Sequence, residues 1–190
     1  MKIYKFTESD CNFKSINLEG SKLLEKLDDN LFNGGSPFHE DFGHFAWVSD
    51  QPDAINNCDF PFISGYIPVI SERALTILKP FIDKSNIEVL PIKVEGEKYY
   101  LLHIMHSSPC LNIKASAISY FMNGGIKQIK DYVFLPSVEK EQFFFMVDQL
   151  HTHVFVREEV ASIIEKEHLI GAKFEECKIK DLSFFDKLFT

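Results

Sequence analysis

IEVLPIKVEGEKYYLLHIM, residues 87–105, reads as two β-strands folded back on one another. IEVLPIKV and KYYLLHIM are rich in β-branched, aromatic and other large apolar residues, and Glu95-Gly96-Glu97 between them is a short turn. Other strands follow the same style. MKIYKF (1–6) alternates, DYVFLP (131–136), QFFFMV (142–147) and HVFV (153–156) are short apolar runs, and AKFEECKI (172–179) makes a last strand. Strand fragments are also expected around Phe45 to Val48.

Helical signals are fewer. In PVISERALTILKPFI (68–82), Ser71 is a good N-cap and Glu72 suits the positive end of a helix dipole. Ala74, Leu75, Leu78, Phe81 and Ile82 form one apolar face, and Pro80 ends or kinks the helix. Arg157 leads into a second helix, EEVASIIEKEH (158–168), closed by Leu169-Ile170-Gly171. Further helices are expected at Ser21 to Leu31, before the breaker NGGSP (33–37), and at Ser116 to Met122, before Asn123-Gly124-Gly125. The tail KDLSFFDKLFT (180–190) carries enough apolar residues to dock on the domain. Strands without a regular βαβα alternation predict an α+β fold with a mainly antiparallel sheet and a few amphipathic helices.

The chain has 190 residues and is 45% hydrophobic, enough for one domain with a sizeable core. A soft boundary near 60 divides an N-terminal region, 1–58, which could pack on the main domain, from a main domain, 59–190. Nineteen phenylalanines against one tryptophan predict a Phe-filled core, since the Phe ring needs no polar partner. Net charge is −8, concentrated in residues 1–60, where five lysines face eleven acids. That balance argues against nucleic acid or an anionic membrane as partner and suits a basic protein partner. The opening MKIYKFTESD has no apolar leader core, and there is no apolar run of about 18 residues. Cys11, Cys58, Cys110 and Cys177 form no CxxC pair. The expectation is a cytoplasmic protein with reduced thiols.

Motifs for chemistry are sparse. HIMHSSPC (103–110) gathers two histidines, two serines and a cysteine, but His103 and His106 are three apart and point to opposite sides of a regular strand. The stretch reads as a strand end and its turn, with Cys110 a small buried residue. His151 and His153 are two apart, which puts both rings on one face of a regular strand, the geometry a zinc site uses. They carry the alternative reading of a metal-dependent enzyme. A third reading is a regulatory domain binding a small ligand in a Phe-lined cavity with Tyr99, Tyr100 and Tyr120 as polar tips. There is no GxSxG, HExxH, P-loop or GxGxxG. No catalytic residue, metal or cofactor is assigned.

Residues 38–60 stand apart. Glu40, Asp41, Asp50, Asp53 and Asp59 lie among Phe38, Phe42, Phe45, Trp47 and Phe60. One reading is a long solvated loop over the core, with Trp47 buried. The other is a protein-binding surface, in which acids speed encounter with a basic partner and aromatics slow its release.

From about Asp59 onward the order of segments carries a resemblance. PVISERALTILK, IEVLPIKV, YYLLHI, CLNIKAS, FFFMV and HVFVREEVASIIEKEHLIGAKF follow one another as in the immunity proteins of bacterial polymorphic toxin systems. The chain resembles the eleventh family of that classification, first catalogued as a domain of unknown function. Val156, Glu158, Glu159, Gly171 and Phe174 stand at the family's C-terminal pattern, and the resemblance covers roughly residues 59–176. One departure is Asn112 ahead of Ser116, where the family often has an acidic residue. The resemblance implies a small intracellular bacterial protein, made beside a toxin in interbacterial competition, that binds and neutralises the cognate toxin without catalysis.

Overall fold

A computed structural model of the protein describes residues 1–9, 13–18, 44–48, 54, 58–63 and 65–182, with the backbone alone at 17–18 and 44–48. The helix expected at Ser21 to Leu31, the turn at 33–37 and the end of the tail from 183 lie outside the described residues.

The hairpin expected at 87–105 forms as read. β6 (Ile87–Val94) pairs antiparallel with β7 (Glu97–Ile104), from Ile87 opposite Ile104 to Val94 opposite Glu97. Glu95 and Gly96 have φ of 49° and 92°. A two-residue hairpin loop with both φ positive matches the right-handed twist of its strands. The two faces of β7 serve different cores. Tyr99 and Leu101 join Leu90, Ile92 and Val94 of β6 in one cluster, while Leu102 and Ile104 join Ile87 in another.

The first cluster belongs to a closed barrel. Its strand order is β2 (Ser15–Leu18), β3 (His44–Val48), β6, β7, β5 (Ile67–Ser71) and β4 (Phe62–Ile63). The second lies between the barrel and a six-stranded sheet. That sheet has the order β11 (Val133–Phe134), β14 (Ala172–Ile179), β1 (Ile3–Glu8), β13 (Leu150–Arg157), β12 (Phe144–Val147) and β8 (Ser107–Ser108). Both sheet faces are covered. On β12, Phe144 and Met146 face the barrel, whereas Phe145 and Val147 face a third cluster. On β13, Val154 and Val156 face the barrel side and Phe155 the other. A strand buried on both faces has no polar alternation, which is why FFFMV and HVFV read as unbroken apolar runs. The phenylalanines fill these spaces. Phe134, Phe145 and Phe155 make a triangle with centroids 5.0 to 5.8 Å apart, and Phe6 sits 5.3 to 5.7 Å from Phe60, Phe62 and Phe174.

The α+β class holds, but the sheets are mixed. β1, β12, β13 and β14 pair antiparallel, whereas β8–β12, β11–β14, β2–β4 and β3–β6 pair parallel. Each parallel contact spans two residue pairs or fewer. Such short pairings leave no period in the sequence. β1, from the N-terminal region, lies inside the sheet and bonds to β13 on one side and β14 on the other.

Two α-helices occur among the described residues. α1 (Glu72–Leu78) is capped by Ser71, whose Oγ accepts from Ala74 N at 3.0 Å, and a 3₁₀ turn containing Pro80 (Lys79–Phe81) follows it. α2 (Glu158–Lys166) buries Val160, Ala161 and Ile164 and has Glu158 and Glu159 in its first turn. The helix expected at Ser116 to Met122 is instead a strand. β9 (Ala117–Tyr120) pairs antiparallel with β10 (Ile126–Asp131). Tertiary contacts overrode local preference there. Ser116 Oγ donates to Asn112 O and accepts from Val133 N, which extends the chain from Ser116, and Ile118, Ile126 and Ile129 pack on the third cluster.

α2, the turn after it and the loop before β4 meet at Gly171. Its φ is 102°, and an added Cβ would lie 2.9 Å from Phe60 O and 2.9 Å from Cys58 Cβ. Gly171→Ala must therefore carry both backbone strain and a clash with main chain. It is expected to lower stability by about 2–4 kcal/mol, read as a shift of the urea unfolding midpoint at unchanged m-value.

Candidate functional site

The residues with chemical potential are held by the fold in separate places. HIMHSSPC starts as the end of β7, as read from the sequence, but Ser107 and Ser108 form the edge strand β8 against β12 rather than a free turn. His103 Nδ1 lies 3.1 Å from Glu88 Oε2, while His106 Nε2 lies 2.8 Å from Glu141 Oε2. Ser108 Oγ donates to Glu141 Oε1 at 2.6 Å. The serine is thus bonded to the carboxylate and not to an imidazole that could take its proton, so this is not a nucleophile–base pair. Cys110 is buried in the third cluster, and burial pushes its thiol up to about 11. The Cys58 and Cys177 thiols are pushed up to about 12, also by burial first. A thiol so raised is a poor nucleophile.

His151 and His153 do not share a face. Phe145 pairs with Phe155 and Val147 with Leu150, so Met146 alone faces residues 151–154 across a bulge. The bulge breaks the period of two on which the same-face expectation rested. His151 lines a small cleft on the barrel side with Leu102, Met146 and Val154. His153 turns the other way, its Nδ1 3.1 Å from Tyr132 Oη and 3.0 Å from Thr152 Oγ1, with its ring edge-on to Tyr132. Among the described residues, no three His, Cys, Asp or Glu side chains gather as a cation site would need.

The three tyrosines of the small-ligand reading are also dispersed. Tyr99 is buried in the barrel and Tyr100 packs on the opposite face of β7, its hydroxyl 3.4 Å from Glu72 Oε1. Tyr120 is exposed at the end of β9. Among the described residues, the three rings therefore lie on separate faces and elements.

Of the acidic and aromatic residues picked from 38–60, Glu40, Asp41, Asp50 and Asp53 lie outside the described residues, and Trp47 is described only as a backbone position on β3, opposite Ile16. Asp59 is buried and fully engaged. Its Oδ1 accepts from Ser71 Oγ at 2.7 Å, and its Oδ2 accepts from Arg73 Nη1 at 3.0 Å and from Ile170 N at 3.1 Å. Arg73 also donates to Glu167 O at 2.6 Å. Asp59 therefore joins the start of α1 to the end of α2, and its carboxylate points into the fold.

One surface feature was missed by the sequence reading. The β9–β10 hairpin ends in Tyr120, Phe121 and Met122, which are 53%, 54% and fully exposed. Its turn is ordered: Phe121 N donates to Gly125 O at 2.8 Å, Gly125 N to Asn123 Oδ1 at 3.1 Å, and Gly124 takes a φ of 84°. Its base is held by Asn112, whose Nδ2 donates to Lys180 O at 3.0 Å and whose Oδ1 accepts from Ala115 N at 3.2 Å. The signal was present in YFMNGG, an apolar triplet before a turn, but it was read as a helix end.

The buried imidazole has a consequence for acid stability. Burial, and next the nearby Lys5 cation, pushes His153 down to about 4, whereas a solvated histidine titrates near 6.5. Between these values the unfolded chain binds a proton that the folded chain does not. The contribution is complete above pH 6.5 and is lost as pH falls towards 4. Urea midpoints at pH 7 and pH 4.5 should show wild type losing about 2 kcal/mol more than His153→Gln over that interval.

The family model of the Immunity protein family (Imm11) matches residues 51–179, from ahead of Asp59 to the last residue of β14. No curated protein matches the chain.

Proposed function

The chain belongs to the Imm11 immunity protein family, and on that premise we propose that it binds a cognate bacterial toxin and neutralises it by protein–protein contact, without a catalytic step. The observation that carries the reading is the extent of the match. It takes in the two α-helices of the described residues, the β6–β7 and β9–β10 hairpins and the Asp59–Gly171 junction. The candidate residues add support. Ser108 lacks an imidazole partner, the thiols titrate high, and His151 and His153 face apart. A protein that works by covering another protein needs a stable scaffold and a displayed surface, not a reactive group.

Toxin and immunity protein meet in the cytoplasm in this reading, where reduced cysteines such as Cys58, Cys110 and Cys177 are at home. The acidic residues Glu40, Asp41, Asp50 and Asp53, with Trp47, form the encounter surface for a basic part of the toxin. Asp59 belongs to the same acidic stretch in sequence, but its carboxylate is bonded within the fold to Ser71, Arg73 and Ile170.

Two experiments test the proposal. Expression of the neighbouring reading frame in a bacterial host should stop growth, and co-expression of this chain should restore it. A neighbour that kills equally in its presence would leave the family fold without the family role. Reversing Asp50 and Asp53 to lysine should slow association several-fold at low salt and leave dissociation nearly unchanged. An unaltered on-rate and unaltered salt dependence would remove the acidic segment from the interface.

A further inference from the structure

We propose that the tip of the β9–β10 hairpin is the element that anchors the toxin, and that it enters an apolar pocket with an acidic rim; this inference rests on the neutralisation reading above. Tyr120, Phe121 and Met122 lie consecutively at one end of the hairpin and all face solvent. Other phenylalanines, such as Phe6, Phe60, Phe62, Phe134 and Phe155, are fully buried. Exposed apolar side chains scattered singly are ordinary on a soluble protein, but a cluster on one projecting turn marks a contact site. The residue types also fit, because aromatic side chains and methionine are enriched at interface centres.

The hairpin is built to present its tip. Ile118, Ile126 and Ile129 dock its strands on the third core cluster, the Asn112 and Ser116 hydrogen bonds hold its base, and the Asn123-Gly124-Gly125 turn holds its end. A tip ordered before binding loses little conformational entropy on entering a pocket.

Charge identifies the occupant. Residues 113–131 carry Lys114, Lys127 and Lys130 against Asp131, in a chain whose net charge is −8. All four of these charged side chains are exposed. Lys127 stands beside the tip, next to Ile126, which pairs with Tyr120, while Lys114 and Lys130 stand towards the base, so the hairpin as a whole is net positive and complements an acidic rim around an apolar pocket. The same charge argues against a second copy as occupant, because a two-fold contact would set one basic hairpin against another. The acidic segment proposed above would meet a different, basic part of the same toxin.

The test uses the full chain and the purified toxin from the neighbouring reading frame. Phe121→Ser with Met122→Ser should weaken binding at least tenfold, chiefly through faster dissociation. Lys127→Glu with Lys130→Glu should slow association several-fold and reduce its salt dependence. Thermal midpoints of both variants should match wild type, since the altered side chains are exposed. If wild type binds the toxin and both variants bind it within twofold as well, the hairpin is not the anchor and the neutralisation reading survives. If wild type neither binds the toxin nor rescues growth, that reading falls and this inference falls with it. A concentration-dependent dimer of the free chain, lost in the Phe121→Ser, Met122→Ser variant, would make the tip a self-association surface and overturn the assignment.

Discussion

The buried carboxylate of Asp59 is the interaction on which the arrangement of the molecule depends. A buried carboxylate is tolerated only when its lone pairs are filled, and here a hydroxyl, a guanidinium and a main-chain N–H fill them. Two donors come from the start of α1, its cap and its first turn, and the third from the turn before β14. Main-chain bonds run the same way, with Asp59 N and Phe60 N both donating to Ile170 O, and Ser71 N donating to Asp59 O. Arg73 is more than half exposed, so the ion pair by itself contributes little. What matters is that Ser71 Oγ is oriented by the carboxylate to which it donates, leaving its own lone pair aimed at Ala74 N. Helix capping and domain closure are therefore one network.

That junction lets the barrel and the six-stranded sheet share a core. Phe60 and Phe62 leave the Asp59 segment and pack on Phe6 of β1, while α1 and α2 close the same space with Leu78, Val160 and Ile164. Gly171 is where the chain passes closest to this segment, and its lack of a side chain sets the spacing. The far face of the sheet is covered by the polypeptide between β8 and β12, from which the β9–β10 hairpin projects.

Much of this was legible in the chain. Strong local chemistry announced itself: the Glu95-Gly96 turn, the Ser71 cap, the Pro80 stop, the amphipathic α2 and the last strand at 172–179. Each is specified by neighbours within a few positions, so the sequence pattern carries it. The candidate sites were less legible. His151 and His153 read as a pair because spacing of two implies one face, but that holds only for an unbulged strand. Asp59 read as a surface acid because nothing nearby in sequence announces Arg73 or the Ile170 amide as its partners. Ser116 to Met122 read as a helix because the distant Val133 amide that fixes Ser116 cannot be seen from its neighbours.

By itself, then, the sequence determined the central hairpin, both helices among the described residues and several of the apolar strands, together with the Phe-rich core, the acidic balance and the family. Only the tertiary structure decided that the strands form a barrel and a mixed sheet, that β1 lies inside that sheet, and that Asp59 is internal. It also decided that three consecutive apolar residues stand outside. The division has one physical cause. Turns, caps and periodicity are short-range constraints on the backbone, whereas parallel pairing, bulges and the burial of a single carboxylate are set by groups far away in the chain. Asp59 and Ile170 are 111 residues apart, yet their hydrogen bond is 3.1 Å long.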